Sequence, residues 1–306
     1  MRFLVFFILI GVYKCAPEGH LWNYESEGPD FWKEEFLNCK GQKQSPIDIT
    51  KEYLEYDSNL KPINFGNYDK VSNWNISHNG HTVVVSNIKN DQFTIDGSDF
   101  DENFNLLQFH FHWGYNKYHG SEHLIDGEKF PLEMHLVHKS KNGTFTVLGF
   151  LFTISEENNP GLDSLLEGVS VARDKGHWQN KTFSLAAMLP ESNTLNYYRY
   201  LGSLTTPPCT EGVIWNVFST YINISSEQLT SFRHNVLRLN FRDPQKIYNR
   251  QIFTSFPVEG SDKLRSRGGP NQPCVMQNGS QKSKHIILQN GILPILFYIF
   301  YLFKLF

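Results

Sequence analysis

Residues 108–114 read QFHFHWG, two histidines one residue apart inside a run of aromatics. On a β-strand, side chains at i and i+2 share a face with Cα atoms roughly 6.5–7 Å apart. His110 and His112 then look one way while Phe109 and Phe111 look the other. The phenylalanines can enter a core and the imidazoles can share a cavity. Two neutral imidazoles side by side are half of a zinc site, since zinc takes nitrogen ligands in tetrahedral order.

A second stretch, PLEMHLVHK at 131–139, has the same parity. Glu133, His135 and Val137 share one face, and Met134, Leu136 and His138 the other. His135 can supply a third nitrogen and leave the fourth position to water, the arrangement of a catalytic zinc. Gln108 and Glu133 lie on the ligand faces and can each accept the second ring N–H of a neighbouring histidine, fixing its tautomer. For His78, His119, His123 and His138 the default reading is an imidazole satisfied by a backbone carbonyl.

Around these stretches the chain reads as mainly β. Runs such as HTVVVSNI, TFTVLGFLFTI and GVIWNVFSTYI alternate or are rich in β-branched residues, and Gly, Asn, Asp and Pro clusters separate them. The clearest helix is SSEQLTSFRH, with Ser225 or Ser226 as cap and Glu227 in the first turn. With 306 residues, 40% of them apolar, the chain can bury a full core. A formal net charge of -3 and the lack of a basic tract give no sign of nucleic-acid binding.

The two ends differ from the middle. MRFLVFFILIGVYKCAPEG has one Arg before an apolar run to Tyr13, the length of a signal-peptide core, with cleavage expected near Cys15 or Ala16. From about Glu259 to Asn278 the composition turns to Gly, Ser, Pro and Gln, as in a stalk. Asn278-Gly279-Ser280, a polar spacer and the terminal tail GILPILFYIFYLFKLF then follow the layout of a GPI-attachment signal. A transmembrane helix is the competing reading of the tail, which Pro294, Lys304 and its short length disfavour. The expected organisation is therefore signal 1–15, one catalytic domain 16–258, stalk 259–278 and propeptide 279–306, with attachment at Asn278 or a neighbour. Sequons at Asn75, Asn142, Asn180, Asn223 and Asn278, and four cysteines without a CxxC pair, suit an oxidising secretory route.

In order along 20–256, KGQKQSPIDI, HNGHTV, QFHFHWG, GSEH, EMHLVH and SLTTPPCTEGVIW together resemble the alpha-class carbonic anhydrases. The resemblance implies a single domain around a large, twisted, mostly antiparallel central sheet with a conical zinc cleft. It implies reversible hydration of carbon dioxide to bicarbonate and a proton by a zinc-bound hydroxide. Its zinc ligands fall on His110, His112 and His135. Gln108 and Glu133 match two residues that orient them, and the remaining ligand's partner falls on a backbone carbonyl near Asn249. Thr205 and Glu122 match the pair that orients the hydroxide, and His81 matches the proton shuttle. Val137, Val147, Leu204 and Trp215 match the apolar substrate wall, while Tyr24, Asn79 and Thr206 match polar positions that hold water or contact substrate. Extracellular members carry a disulfide at the positions of Cys39 and Cys209, which leaves Cys274 without a partner once Cys15 is removed. The expected setting is the outer face of the plasma membrane, where a bicarbonate or proton transporter is the partner class to consider.

Overall fold

The aromatic and imidazole alternation of residues 104–113 forms a ten-residue strand in the computed structural model, which describes residues 22–258 apart from 90, 192–194 and 235–236. The expected leader, stalk and tail lie outside the described residues, as do Cys15, Cys274 and Asn278. In chain order the strands are β1 (Asp48–Ile49), β2 (Leu54–Tyr56), β3 (Ile63–Gly66), β4 (Ser72–His78), β5 (Val83–Asn87), β6 (Thr94–Gly97), β7 (Phe104–Trp113) and β8 (Leu124–Ile125). They continue with β9 (Leu132–Ser140), β10 (Phe145–Ser155), β11 (Trp178–Phe183), β12 (Tyr197–Ser203), β13 (Glu211–Phe218), β14 (Ile222–Ser225) and β15 (Ile252–Thr254). Among the described residues three short α-helices accompany them: α1 (Pro29–Glu35), α2 (Asp163–Val171) and α3 (Ser226–Arg233).

Apart from the β1–β8 pair, the strands make one sheet in the order β11-β4-β5-β7-β9-β10-β13-β12-β15-β2, with β14 beside β10 and β3 and β6 joined to it through β7. Among the described residues only β1–β8, β10–β13, β10–β14 and β15–β2 pair in parallel. The expected fold, one mainly β domain on a largely antiparallel sheet, is what the chain adopts.

Period-two alternation gives the sheet two unlike faces. Phe109, Phe111, Met134, Leu136, Leu148 and Phe150 enter the large core, which Leu165 and Val169 of α2 and Leu229 and Phe232 of α3 cover. On the opposite face Val137, Val147 and Trp215 belong to a second cluster with Leu204. That face also carries a lateral row in register across six strands: Trp178, Ser77, Val84, His110, His135 and Gly149. Helix α3 begins as its sequence predicts. The Ser225 side chain accepts from the Gln228 amide while the Gln228 side chain accepts from the Ser225 amide, a complete capping box. Cys39 and Cys209, 170 residues apart, are joined by the expected disulfide.

His138 shows what a histidine on the core face needs. It is fully buried, its Nδ1–H donates to the Leu136 carbonyl at 3.0 Å, and its Nε2 accepts from the Tyr68 hydroxyl at 2.5 Å. Burial pushes its pKa down to about 3 against the opposing pull of the Leu136 carbonyl. In the unfolded chain the same ring takes a proton near its ordinary value of about 6.5. Stability therefore falls as pH drops through 6.5 towards 3, and by pH 5 this one group removes about 2 kcal/mol. Urea unfolding of His138→Gln at pH 7 and pH 5 should show a difference between the two pH values smaller than wild type by about that amount; an undiminished difference would exclude His138 as its source.

Candidate metal centre and active site

Strands β7 and β9 run antiparallel with His110 directly opposite His135, and His112 stands two residues along the same face. The three rings meet, with centroids 5.1 Å apart for His110 and His112, 5.3 Å for His110 and His135, and 4.5 Å for His112 and His135. One nitrogen from each lies within 4.8 Å of the others.

The other nitrogen of each ring is tied. His110 Nδ1 donates to Gln108 Oε1 at 3.0 Å, His112 Nδ1 to the Asn240 carbonyl at 2.7 Å, and His135 Nε2 to Glu133 Oε1 at 2.7 Å. These bonds leave Nε2, Nε2 and Nδ1, respectively, as lone-pair donors. His112 Nε2 is buried and has no hydrogen-bond partner among the described residues. Burial depresses the pKa of all three, of His112 to about 4, and neighbouring imidazoles add to this for His110 and His135. The rings are neutral at physiological pH, the state a metal requires. Three convergent neutral nitrogens with an open fourth direction fit zinc.

Two buried carboxylates lie behind the ligands. Glu133 Oε2 accepts the backbone N–H groups of Glu122 (2.7 Å) and His123 (2.8 Å), and its Oε1 accepts from His123 Nδ1 (2.6 Å) as well as from His135. Burial alone would raise its pKa, but His123 and His135 hold it well below the usual carboxylate range. Glu122 takes the other course. Burial lifts it to about 7, reinforced by Glu133 and opposed by His135, the Thr205 hydroxyl and the Arg242 amide. Its Oε1 accepts from Arg242 N at 2.8 Å, and its Oε2 lies 3.4 Å from His112 Nε2. The Arg242 guanidinium donates to Gln44 Oε1 and to the Ser45 carbonyl, so this segment is fastened to the QSPID stretch.

A narrow cavity of about 40 Å³ opens on the three histidines, lined also by Gln108, Val137, Val147, Leu204, Thr205, Thr206 and Trp215. Tyr24, Asn79 and His81 line it as well. Asn79 Oδ1 accepts the backbone N–H groups of His81 and Thr82, so this side chain builds the turn that presents His81. The half-buried His81 ring stacks on Trp22 with centroids 3.7 Å apart. Burial first, then Lys175 and His78, push its pKa down to about 4.

One sequence expectation is corrected. The carbonyl that orients His112 belongs to Asn240, not Asn249. Asn249 lines a separate cleft of about 520 Å³ with Arg199 and Arg250, which holds none of the three histidines. Of His78, His119, His123 and His138, only His138 uses a buried backbone carbonyl in the expected way. His123 bridges Glu133 and the Tyr200 hydroxyl, which meets Ser45 Oγ. His78 Nδ1 accepts from the Gly80 amide, and His119 pairs with Asn116 Oδ1. The Trp22 stack and the Arg242 anchor were not read from the sequence; aromatic and basic residues so far from the motifs carry no local signal.

Glu133→Gln tests the orienting role. A Gln offers one acceptor oxygen with two lone pairs and an NH2 group with two donors where four donors converge, so at least two N–H groups lose their acceptor. Zinc affinity, measured by chelator competition, should fall roughly 10- to 100-fold. Unchanged affinity would mean that Glu133 does not set the His135 tautomer.

The eukaryotic-type carbonic anhydrase family model matches residues 27–256. Carbonic anhydrase 4 of Rattus norvegicus is 33% identical over 288 residues, covering 83% of this chain and 91% of the relative. Carbonic anhydrase 15 of Mus musculus is also 33% identical, covering 83% and 89%. Carbonic anhydrase 7 of Homo sapiens is 34% identical over 262 residues, covering 78% and 98%. With a zinc-compatible histidine triad at the centre of a matching fold, the chain belongs to the eukaryotic-type carbonic anhydrases, zinc lyases that interconvert carbon dioxide and bicarbonate.

Proposed function

We propose that His110 and His112 through Nε2 and His135 through Nδ1 hold the catalytic zinc, that Thr205 and Glu122 orient the attacking oxygen, and that His81 carries the proton away. The observation that carries this reading is the set of tautomers: each ring donates one N–H to a different acceptor and keeps one free nitrogen, and one nitrogen of each ring lies within 4.8 Å of the others. Zinc, when bound, supplies a Lewis acid that makes water nucleophilic near neutral pH. The rest is done by side chains. The Thr205 hydroxyl donates to Glu122 and so keeps its own oxygen free to accept a hydrogen from the attacking oxygen, which fixes the direction of attack. Val137, Val147, Leu204 and Trp215 offer carbon dioxide an apolar wall.

Hydration releases one proton per turnover, and in this reading His81, which lines the cavity, is the base that relays it. Stacked on Trp22, with a pKa of about 4, the ring is neutral at physiological pH. Swinging out to water returns it to about 6.5, where it takes and gives up a proton with nearly equal ease. In stopped-flow hydration the zinc-loaded protein should be active, chelation should abolish the activity, and His110→Ala should prevent its recovery on adding zinc. His81→Ala should lower the maximal rate in dilute buffer while leaving kcat/KM nearly unchanged, and added imidazole should restore much of the loss. A variant with full maximal rate at low buffer would assign the relay to another group.

We place the enzyme at the outer face of the plasma membrane on a lipid anchor, on the strength of the terminal segments of the sequence and the Cys39–Cys209 disulfide. No helix among the described residues is long and apolar enough to cross a membrane. Phosphatidylinositol-specific phospholipase C should release activity from intact cells. Retention of the peptide 297–306 in mature, phospholipase-resistant protein would favour a transmembrane tail instead.

A further inference from the structure

The outward face of β4 and β11 brings two Asn-x-Ser/Thr triplets into one cross-strand pair. Asn180, of Asn180-Lys181-Thr182, stands directly opposite Asn75, of Asn75-Ile76-Ser77. The two amides touch, with Asn75 Nδ2 donating to Asn180 Oδ1 at 3.1 Å. Opposed Cβ atoms in such a pair lie roughly 4.5–5.5 Å apart. The two positions are not equivalent. β4 is flanked by β5 and β11, whereas β11 ends the sheet, and accordingly Asn75 is half-buried and Asn180 exposed. Two residues before Asn180, on the same face, Trp178 is 59% exposed. Its indole borders a shallow depression of about 550 Å³ that both asparagines line.

We propose that this face carries a single N-linked glycan, on Asn180, with its first N-acetylglucosamine resting on the Trp178 indole, and that Asn75 stays unmodified. The proposal rests on the secretory route inferred above. In the transfer, Asn180 Nδ2 forms a bond to the anomeric carbon of a polyprenyl-diphosphate-linked oligosaccharide, the anomeric carbon–oxygen bond to the diphosphate breaks, and one amide proton leaves to the released diphosphate. The acceptor is the unfolded chain, so folding selects among the glycoforms: a glycan on Asn75, half-buried between β5 and β11, crowds both neighbouring strands whether or not Asn180 carries one. Two oligosaccharides on directly opposed residues compete for the same space above the strands, and a chain bearing both cannot close the β4–β11 ladder. A glycan on the edge strand leaves outward without crossing a neighbour. It also covers an exposed indole and hinders strand addition at a sheet edge, a feature that proteins otherwise blunt with charge or proline.

The test uses the full chain expressed in animal cells with N142Q, N223Q and N278Q, which leaves Asn75 and Asn180 as the only sequons. Peptide N-glycosidase F should produce one glycan-sized mobility step in the mature protein. N180Q should remove that step and N75Q should not. Hydroxyl-radical footprinting should oxidise Trp178 severalfold faster in N180Q than in the glycosylated protein. Two steps, a step lost with N75Q, or equal Trp178 oxidation would overturn the proposal. So would the absence of any step when the unsubstituted chain carries glycans at Asn142 or Asn223. An unsubstituted chain with no glycan at any sequon would instead overturn the secretory route, and this proposal would fall with it.

Discussion

Glu133 is a carboxylate with no exposed surface, and the four donors that converge on it set the positions of the groups around the metal. An ionised group removed from water is costly unless every lone pair is used. Meeting that demand fixes several elements at once. The His135 donor leaves Nδ1 facing the cleft, the two backbone N–H groups bend residues 122–123 against β9, and His123 is oriented to receive the Tyr200 hydroxyl. Even the opposite strand conforms. Gly149 lies across from His135, and a Cβ there would stand 3.3 Å from Glu133 Oε1.

The two buried carboxylates lie close together and are driven in opposite directions. Glu133, surrounded by imidazole donors, stays ionised, whereas Glu122, with fewer of them, is lifted to about 7. One is a fixed acceptor and the other can respond to a hydroxyl beside it. Environments that separate the pKa values of paired acids are a common way for one site to assign distinct roles.

Much of this was legible along the chain because it is local. Strand parity placed His110 and His112 on one face and Phe109 and Phe111 on the other, and the same rule applied to Glu133, His135 and Val137. The α3 cap was legible for the same reason. The Asn240 carbonyl was not, since any residue can supply a backbone oxygen and no side-chain type marks the position; it lies nine residues before Asn249, the position the family resemblance implies. The His123–Tyr200–Ser45 contacts and the Trp22 stack depend on which distant segments the sheet brings together, which parity does not specify.

The Asn240–Arg242 segment has a further consequence for how the enzyme comes into being. It orients His112, tethers Glu122 and reaches back to Gln44 and Ser45, yet it comes after every metal ligand in the chain. A ribosome that has delivered residues 1–239 has made all three ligands, the Gln108 and Glu133 acceptors and the cavity walls, but not the carbonyl that aims His112 or the amide that tethers Glu122. The His112 carbonyl and the Glu122 tether therefore wait for residues 240–242, long after His135, the last ligand, has been made, so the site cannot be completed by local folding of β7 and β9 alone.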